Sequence, residues 1–297
     1  MGWVETKPRR SPASKKCELA PLPQLLSSLS EALEPFSAVI VTGGSSGIGK
    51  SFIELGEKLK PDLPFCNLSR QTPAKNTSGK RLHHVPCDLS RADEVEQGVR
   101  QVEAWLPRVS PTGRLLLINN SGFGTYGRFP EPNLARQLEM IDVNARAVVH
   151  LTGRLLPTLL ERGGAVVTIA STVAFQPTAY AATYGATKAF VLHWSLALNE
   201  ELRGTGVRTL AVCPGTTATD FFRRAGKRDG TPPGRGAMTA DSVVRIALRA
   251  LAAGRAQVVT GWPNKLYAAA GAKLPKPLAA RLAARILRRR WLGENSS

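Results

Sequence analysis

The feature that most constrains the fold is an alternation, between residues 37 and 261, of short apolar runs with amphipathic stretches long enough for a helix. The apolar runs span residues 38–42, 64–69, 82–86, 114–119, 165–170, 207–212 and 256–260. Each run is apolar over most of its length, which is typical of strands buried on both faces of a sheet. We therefore expect an α/β fold, a doubly wound parallel sheet of the Rossmann type with about seven strands and with helices on both faces.

The chain of 297 residues divides into three parts by composition. Residues 1–36 begin Pro-, Ser- and Lys-rich and then place leucines, Leu29 and Leu33 among them, at helical spacing, which indicates a partly flexible extension with a short helix. Residues 37–261 carry the alternating pattern and form the predicted α/β domain. Residues 262–297 form a basic, helix-prone tail.

Composition excludes several kinds of protein. No run approaches the roughly 18 apolar residues of a membrane span, and no apolar segment follows the basic N-terminal residues as in a secretory signal. The cysteines lie far apart and have no partners at ligand spacing, so we expect reduced core thiols, no metal site and a cytoplasmic protein. The four cysteines are Cys17, Cys66, Cys87 and Cys213.

The net charge of +18 is concentrated at the C-terminus, since residues 223–297 hold sixteen Lys and Arg but three acids. Residues 277–292 predict an amphipathic helix with arginines on one face. This helix could pack on the domain, pack on another subunit, or lie on an anionic membrane surface. No nucleic-acid-binding motif accompanies the charge, so we expect no nucleic acid partner.

A glycine-rich turn follows the first predicted strand and leads into a helical pattern. It reads Thr42-Gly43-Gly44-Ser45-Ser46-Gly47-Ile48-Gly49. Glycines here suit a tight turn, a close approach of the backbone to a pyrophosphate and close packing of helix on strand, and the helix N-terminus offers free N–H groups to phosphate. The turn predicts a dinucleotide site formed by Gly43, Ser45, Ser46, Gly47, Ile48 and Gly49.

The end of the second predicted strand bears on the choice of cofactor. It reads Cys66-Asn67-Leu68-Ser69-Arg70, with an arginine and no acid. An acid at this place accepts hydrogen bonds from the ribose of NAD, whereas an arginine accommodates the 2′-phosphate of NADP. Arg70 therefore favours NADP(H), with NAD(H) still usable. The alternative is that Arg70 is an ordinary solvent-exposed side chain at a strand end.

Further motifs follow in order along the chain. They are Asp88, Asn119-Asn120-Ser121-Gly122, Asn144, Ser171, Tyr184-x-x-x-Lys188 and Pro214-Gly215-Thr216-Thr217-Ala218-Thr219. With the glycine turn, they make the chain resemble the short-chain dehydrogenase/reductase family over about residues 37–261. Ser121 stands where the family usually has alanine, a small change that should leave the turn intact. The resemblance implies further cofactor contacts at Asp88, Leu89, Asn120, Gly122, Tyr184, Lys188, Pro214, Gly215, Thr217 and Thr219.

The segment from Ser171 to Lys188 contains no acid, histidine or cysteine, so a phenol must move the proton. Lys188 lies one helical turn from Tyr184, where its charge, helped by an oxidised nicotinamide, favours the phenolate. Ser171 can hydrogen-bond the substrate oxygen, or it could only cap a strand. The resemblance implies that Lys188 also binds the nicotinamide ribose and that Asn144 holds a relay water, although Asn144 could be a buried structural amide.

Aromatic residues near these motifs predict an apolar pocket for a small-molecule ketone or alcohol. The pocket residues are expected to be Phe123, Phe175, Tyr180 and Phe221. We expect an NADP(H)-dependent oxidoreductase acting on a lipophilic carbonyl such as a 3-oxoacyl chain or a steroid-like ketone, and the resemblance implies a homo-oligomer. The alternatives are a non-catalytic dinucleotide-binding regulatory protein and a membrane-associated binding protein that uses the basic tail.

Overall fold

The computed structural model describes residues 29–73, 82–226 and 236–288. Its strands are β1 (Phe36–Thr42), β2 (Phe65–Ser69), β3 (Leu82–Pro86), β4 (Arg114–Asn119), β5 (Gly164–Ile169), β6 (Val207–Cys213), β7 (Thr217–Ala218), β8 (Met238–Thr239) and β9 (Gln257–Val259). Seven of them form one parallel sheet in the order β3-β2-β1-β4-β5-β6-β9, and β7 pairs with β8 in a separate ribbon. The predicted doubly wound sheet is thus confirmed.

Helices connect the strands of the sheet. They are α1 (Gly47–Leu59), α2 (Ala92–Val109), α3 (Leu134–Ile141), α4 (Ala147–Arg162), α5 (Ala182–Glu201), α6 (Phe221–Arg224), α7 (Ala240–Ala252), α8 (Trp262–Lys273) and α9 (Lys276–Leu287). A π-helical turn, Asp142–Arg146, joins α3 to α4, and a 3₁₀ turn, Thr172–Phe175, follows β5.

Two apolar cores lie on opposite faces of the sheet, because alternate residues of a strand point to opposite faces. Val39 and Val41 of β1 belong to the core that also contains residues of α1 and α7. Ala38 and Ile40 belong to the core that contains residues of α2 and α4. Strands covered on both faces in this way explain why their sequences are apolar throughout.

The N-terminal extension contributes to the first of these cores. Residues 29–33 are helical, and Leu29 and Leu33 are buried beside Phe36 at the start of β1. The preceding residues of the extension, 1–28, lie outside the described residues. The end of the predicted extension is therefore part of the packed domain.

The C-terminal helices pack on the loop that follows β5. Lys276 Nζ donates to the carbonyl oxygen of Phe175 over 3.2 Å, and Arg288 donates to the Tyr180 hydroxyl from Nε at 3.2 Å and from Nη2 at 3.1 Å. Ala279 and Ala283 are the buried residues of α9. The predicted tail helix thus packs on the domain, and its expected last residues, 289–292, lie outside the described residues.

The structure describes three of the four cysteines and the helices that could be compared with a membrane span. Cys66, Cys87 and Cys213 are free and buried, and Cys17 lies outside the described residues. Across residues 29–73, 82–226 and 236–288, no helix combines the length and the hydropathy that crossing a bilayer requires.

Two helical glycines, one on α1 and one on α4, give a matched test of the packing of α1 on β2. A Cβ added to Gly56 on α1 would overlap the ring of Phe65 on β2, whereas one added to Gly153 on α4 meets no atom within 4 Å. Gly56→Ala should therefore lower the free energy of unfolding by about 1–3 kcal/mol. Gly153→Ala should raise it by about 0.5–1 kcal/mol, because alanine loses less backbone entropy on folding. Urea unfolding measures both, and equal effects of the two substitutions would contradict the packing of α1 on β2.

Candidate active site

A cavity of about 1150 Å³ lies at the carboxyl ends of the parallel strands. Residues that directly follow β1, β3, β4 and β6 line it, namely Gly43, Cys87, Asn120 and Pro214. This is the edge at which open α/β sheets bind ligands. The glycine turn and the Ser171–Lys188 segment, far apart in sequence, both border this one cavity.

The glycine turn is shaped for a close approach of its backbone to a ligand. Gly43 and Gly47 have φ angles of +68° and +58°, in the left-handed region that favours glycine. Helix α1 begins at Gly47 with no side-chain cap from Ser46 and no acid in its first turn, so its positive end stays uncompensated by the chain. Because this end lines the cavity, it fits the pyrophosphate of a dinucleotide.

Neighbouring strands hold the glycine turn in place. Thr42 Oγ1 accepts hydrogen bonds from the backbone N–H groups of Asn120 and Ser121, each over 3.0 Å. Asn120 Nδ2 donates to the Thr42 carbonyl over 2.9 Å, and Asn67 Oδ1 accepts from Gly44 N over 2.7 Å. Gly49, predicted as a cofactor contact, lies outside the cavity wall, and a Cβ there would crowd the Gly43 carbonyl.

Arg70 lies at the cavity wall beside two carboxylates. Its Nη1 is 3.8 Å from Asp88 Oδ2 and 3.5 Å from Glu139 Oε1, and 59% of its side chain is exposed. Desolvation raises the pKa of Asp88, but hydrogen bonds from Ser90 and the charge of Arg70 outweigh it, so the net shift is downward. Asp88 is thus an anion that keeps Arg70 over the site, with donors left for a phosphate.

The three predicted catalytic side chains meet at the cavity. Ser171 follows β5, Tyr184 and Lys188 lie one turn apart on α5, and all three line the cavity. Lys188 Nζ donates to the carbonyl oxygen of Ile169 over 2.7 Å and lies 6.0 Å from the centroid of the Tyr184 ring. Ser171 Oγ accepts a hydrogen bond from Val173 N over 3.3 Å, so it caps the 3₁₀ turn.

Burial is the largest cause of the shifted pKa values of Tyr184 and Lys188. Burial raises the pKa of Tyr184 to about 12, against a smaller lowering effect of the Ser171 hydroxyl, and lowers the pKa of Lys188 to about 8. The sequence predicted that Lys188 would lower the pKa of Tyr184. The chain by itself gives the opposite shift, because the free energy needed to remove a phenolate from water is larger than the stabilisation that Ser171 provides. At neutral pH the Tyr184 hydroxyl therefore keeps its proton and can donate it.

The Asn144 side chain connects the π-helical turn to Phe123 and to Thr187 on α5 through hydrogen bonds. Its Nδ2 donates to the Phe123 carbonyl over 2.8 Å and to Thr187 Oγ1 over 3.1 Å, and its Oδ1 accepts from Phe123 N over 3.0 Å. It lies in the π-helical turn, a distortion frequent at functional sites. The geometry gives Asn144 a positioning role, and the relay water stays a prediction.

Two of the four predicted pocket residues border the cavity. Phe123 and Phe221 line it, with the Phe221 ring centroid 5.4 Å from that of Tyr184. Phe175 lies outside the wall, because the 3₁₀ turn directs it into a core around Val191. Tyr180 also lies outside it and borders a separate cavity of about 220 Å³.

Sequence reasoning missed part of the cavity wall. The missed residues include Arg136, Tyr267, Ile286 and Leu287. The last three come from α8 and α9, about a hundred residues after Ser171, and only the tertiary packing of those helices brings them there.

Known proteins resemble this chain in sequence. Residues 37–230 match the family model described as short chain dehydrogenase. The chain is 28% identical over 69% of its length to a serine 3-dehydrogenase of Agrobacterium fabrum, covering 84% of that protein. It is 31% identical over 62% of its length to an NADP-dependent 3-hydroxy acid dehydrogenase of Escherichia coli, covering 74% of that protein.

A solved structure shares the fold over most of the chain. It is a short-chain dehydrogenase from Sphingobium yanoikuyae in complex with NADPH, with 28% identity and a TM-score of 0.66. The match covers 88% of this chain and 96% of that one. The likeness therefore extends beyond the region that the family model matches.

The lowered pKa of Lys188 predicts how stability depends on pH. An unfolded lysine titrates near pH 10.4, so above about pH 8 the unfolded chain binds a proton that the folded chain has lost, and stability rises with pH. Lys188→Met lacks this gain, so its free energy of unfolding relative to wild type should fall by about 3 kcal/mol between pH 7 and pH 10.5.

Urea unfolding at the two pH values measures this difference. The exposed Lys58 on α1 supplies the control Lys58→Met, which removes an ammonium that stays in contact with water. A pH-independent difference for Lys188→Met would contradict a buried, destabilised ammonium.

Proposed function

Because the chain belongs to the short-chain dehydrogenase family, we propose that it is an oxidoreductase that transfers hydride between NADP(H) and a lipophilic carbonyl or alcohol. The observation that carries the proposal is the meeting of Ser171, Tyr184 and Lys188 at a cavity that the glycine turn also borders. A nicotinamide bound there supplies or accepts the hydride.

The side chains account for the accompanying proton. In reduction the Ser171 and Tyr184 hydroxyls donate hydrogen bonds to the carbonyl oxygen, and the Tyr184 proton moves to that oxygen as negative charge develops on it. Burial keeps the phenol protonated at neutral pH, which is the state that reduction requires. Lys188 in its charged form stabilises the phenolate that remains. In oxidation the same proton returns from the alcohol to Tyr184.

NADP(H) is the preferred cofactor in this proposal, and NAD(H) is usable. Arg70 lies at the cavity wall after β2, where the chain has no acid to accept the ribose hydroxyl of NAD. The NADPH bound in the Sphingobium yanoikuyae structure and the NADP-dependence of the Escherichia coli relative support the same preference. The cavity residues that we assign to the cofactor are Gly43, Ser45, Ser46, Gly47, Ile48, Arg70, Asp88, Leu89, Asn120, Gly122, Pro214, Gly215, Thr217 and Thr219.

An apolar wall beside Tyr184 supports a lipophilic substrate such as a 3-oxoacyl chain or a steroid-like ketone. Phe221, Ile286 and Leu287 line the cavity together with the ring of Tyr126, whose centroid is 6.4 Å from that of Tyr184. Such surfaces bind hydrocarbon by removing it from water.

A small hydroxy acid is the second candidate substrate, because the cavity wall also holds arginines that could bind a carboxylate. Arg136, Arg223 and Arg224 lie there, and Arg136 is paired with Glu139 over 2.6 Å. The names of the two relatives, a serine and a 3-hydroxy acid dehydrogenase, point the same way. Turnover of short hydroxy acids but of no long-chain ketone would favour this candidate.

The intact catalytic group supports an enzyme over a regulatory dinucleotide-binding protein. We place this enzyme in the cytoplasm, with its C-terminal helices in peripheral contact with a membrane, because residues 262–288 contain six Lys and Arg and no acid. Exposed apolar residues one turn apart on α3, Leu134, Leu138 and Ile141, support assembly into a homo-oligomer.

Removing the Tyr184 hydroxyl tests the proposed chemistry. Tyr184→Phe should lower kcat for ketone reduction by about 10²–10⁴-fold, because the developing oxyanion loses its proton donor. NADPH binding, followed by quenching of protein fluorescence, should persist. Tyr180→Phe is the matched control and should retain turnover, since Tyr180 lies outside the cavity wall. Full turnover by Tyr184→Phe would reject the assignment.

Removing the Arg70 guanidinium tests the cofactor preference. Arg70→Ala should raise KM for NADPH by about 10- to 100-fold, the range expected for a charged hydrogen bond to phosphate, and should leave KM for NADH nearly unchanged. Arg100, equally exposed and paired with Glu96 on α2, supplies the control Arg100→Ala. Equal effects on NADPH and NADH would show that Arg70 does not select the cofactor.

A further inference from the structure

The two C-terminal helices expose large apolar side chains. We call this set the α8–α9 surface and define it by side chains that are 39–70% exposed. They are Trp262 and Leu266 on α8 and Leu278, Leu282 and Ile286 on α9. Trp262 is 70% exposed, and a patch of large apolar side chains of this kind marks an interaction site.

The packing of the two helices explains why these side chains face outward. Helix α9 contacts the domain through the small residues Ala279 and Ala283, and α8 does so through Ala268 and Gly271. A Cβ at Gly271 would overlap Gln176, so close approach of α8 fixes which face is buried. The leucines are thereby left on the outside, the reverse of an ordinary core helix.

The charges around the α8–α9 surface indicate its partner. The basic residues of the two helices are Lys265, Lys273, Lys276, Arg281, Arg285 and Arg288, and no acid occurs between Trp262 and Arg288. A second copy of the surface would oppose these cations to like charges, which disfavours self-association. Exposed tryptophan and leucine on helices whose charged residues are all Lys and Arg match the interface of an anionic bilayer.

The same surface reaches the mouth of the catalytic cavity. Ile286 is 46% exposed and Tyr267 is 44% exposed, and both also line the cavity. Leu287 and Pro263 continue the wall on the same helices. Docking of the α8–α9 surface would therefore bring the cavity opening to the lipid.

We propose that the α8–α9 surface docks on an anionic lipid bilayer and that the enzyme takes a membrane-resident lipophilic carbonyl directly from it. The second half of this statement rests on the proposed function, since it presumes carbonyl reduction at Tyr184. The first half rests only on exposure and charge. A bilayer route suits such a substrate, because a long-chain ketone partitions out of water.

Sedimentation with vesicles tests the docking. The full chain should bind phosphatidylcholine vesicles containing about 30% phosphatidylglycerol at least tenfold more tightly than pure phosphatidylcholine vesicles, and salt should weaken the binding. Trp262→Gln/Leu266→Gln should weaken it about tenfold through lost apolar burial. Arg281→Gln/Arg285→Gln should do so at least tenfold, about fivefold per cation. Leu160→Gln, which alters a leucine that is 42% exposed on α4, should bind as wild type does.

NADPH oxidation tests the route of the substrate. With a long-chain alkan-2-one held in the anionic vesicles, Trp262→Gln/Leu266→Gln should lose about tenfold in turnover, in proportion to its lost binding. With a short water-soluble ketone it should match wild type, since neither side chain lines the cavity. Melting curves by circular dichroism establish that the variants fold.

The outcomes separate the two proposals. Absence of turnover with every carbonyl rejects the proposed function, while the vesicle comparison still decides the docking. Equal binding to both vesicle types, or variants that bind anionic vesicles as wild type does, overturns the docking. A change of molecular mass by light scattering in Trp262→Gln/Leu266→Gln, without a change in vesicle binding, would assign the surface to a protein contact and overturn it too.

Discussion

The burial of an ammonium next to a phenol is the interaction on which the rest of this site depends. Lys188 and Tyr184 are 5% and 7% exposed, and the protein compensates the lysine with the Ile169 carbonyl at the end of β5. That carbonyl is available only because β5 ends there and the chain turns through Ser171. The chemistry of the site therefore depends on the position of α5 against the end of β5.

The cofactor end of the cavity is held by uncharged hydrogen bonds. Thr42, Asn67 and Asn120 connect the ends of β1, β2 and β4 through backbone groups of the glycine turn. No carboxylate occupies the first turn of α1, so the positive end of that helix is left for a ligand. Around Arg70 the chain does the opposite and places Asp88 and Glu139, anions that a bound phosphate could displace as partners.

The parts of the structure that sequence predicted are those set by local rules. Strands buried on both faces must be apolar throughout, so all seven strands of the sheet could be located to within a few residues. The glycine turn and the spacing of Tyr184 and Lys188 are likewise local, because a tight turn and one helical turn are fixed by neighbouring residues. Ser171 could be placed because the carboxyl ends of parallel strands meet at one edge.

The predictions that the geometry does not support depend on packing between distant segments. Phe175 was expected in the pocket, but the 3₁₀ turn directs it into the core around Val191. The sequence left open whether the tail helix packs on the domain, and it does so with Ala279 and Ala283 as its buried residues. Periodicity identifies which residues share a face, but the closeness of approach decides which face is buried, and alanine permits the closer approach.

The same choice of small residues ties the surface of the protein to its chemistry. Had leucines packed inward, α9 would stand farther from the loop after β5, and Arg288 could not reach the Tyr180 hydroxyl. With alanines inward, α9 lies close enough for Ile286 and Leu287 to wall the cavity, and its leucines are exposed as a consequence. The apolar cavity wall beside Tyr184 and the exposed α8–α9 surface thus both result from the packing of α9 through its alanines. The proposed lipophilic substrate and the proposed lipid surface both rest on it.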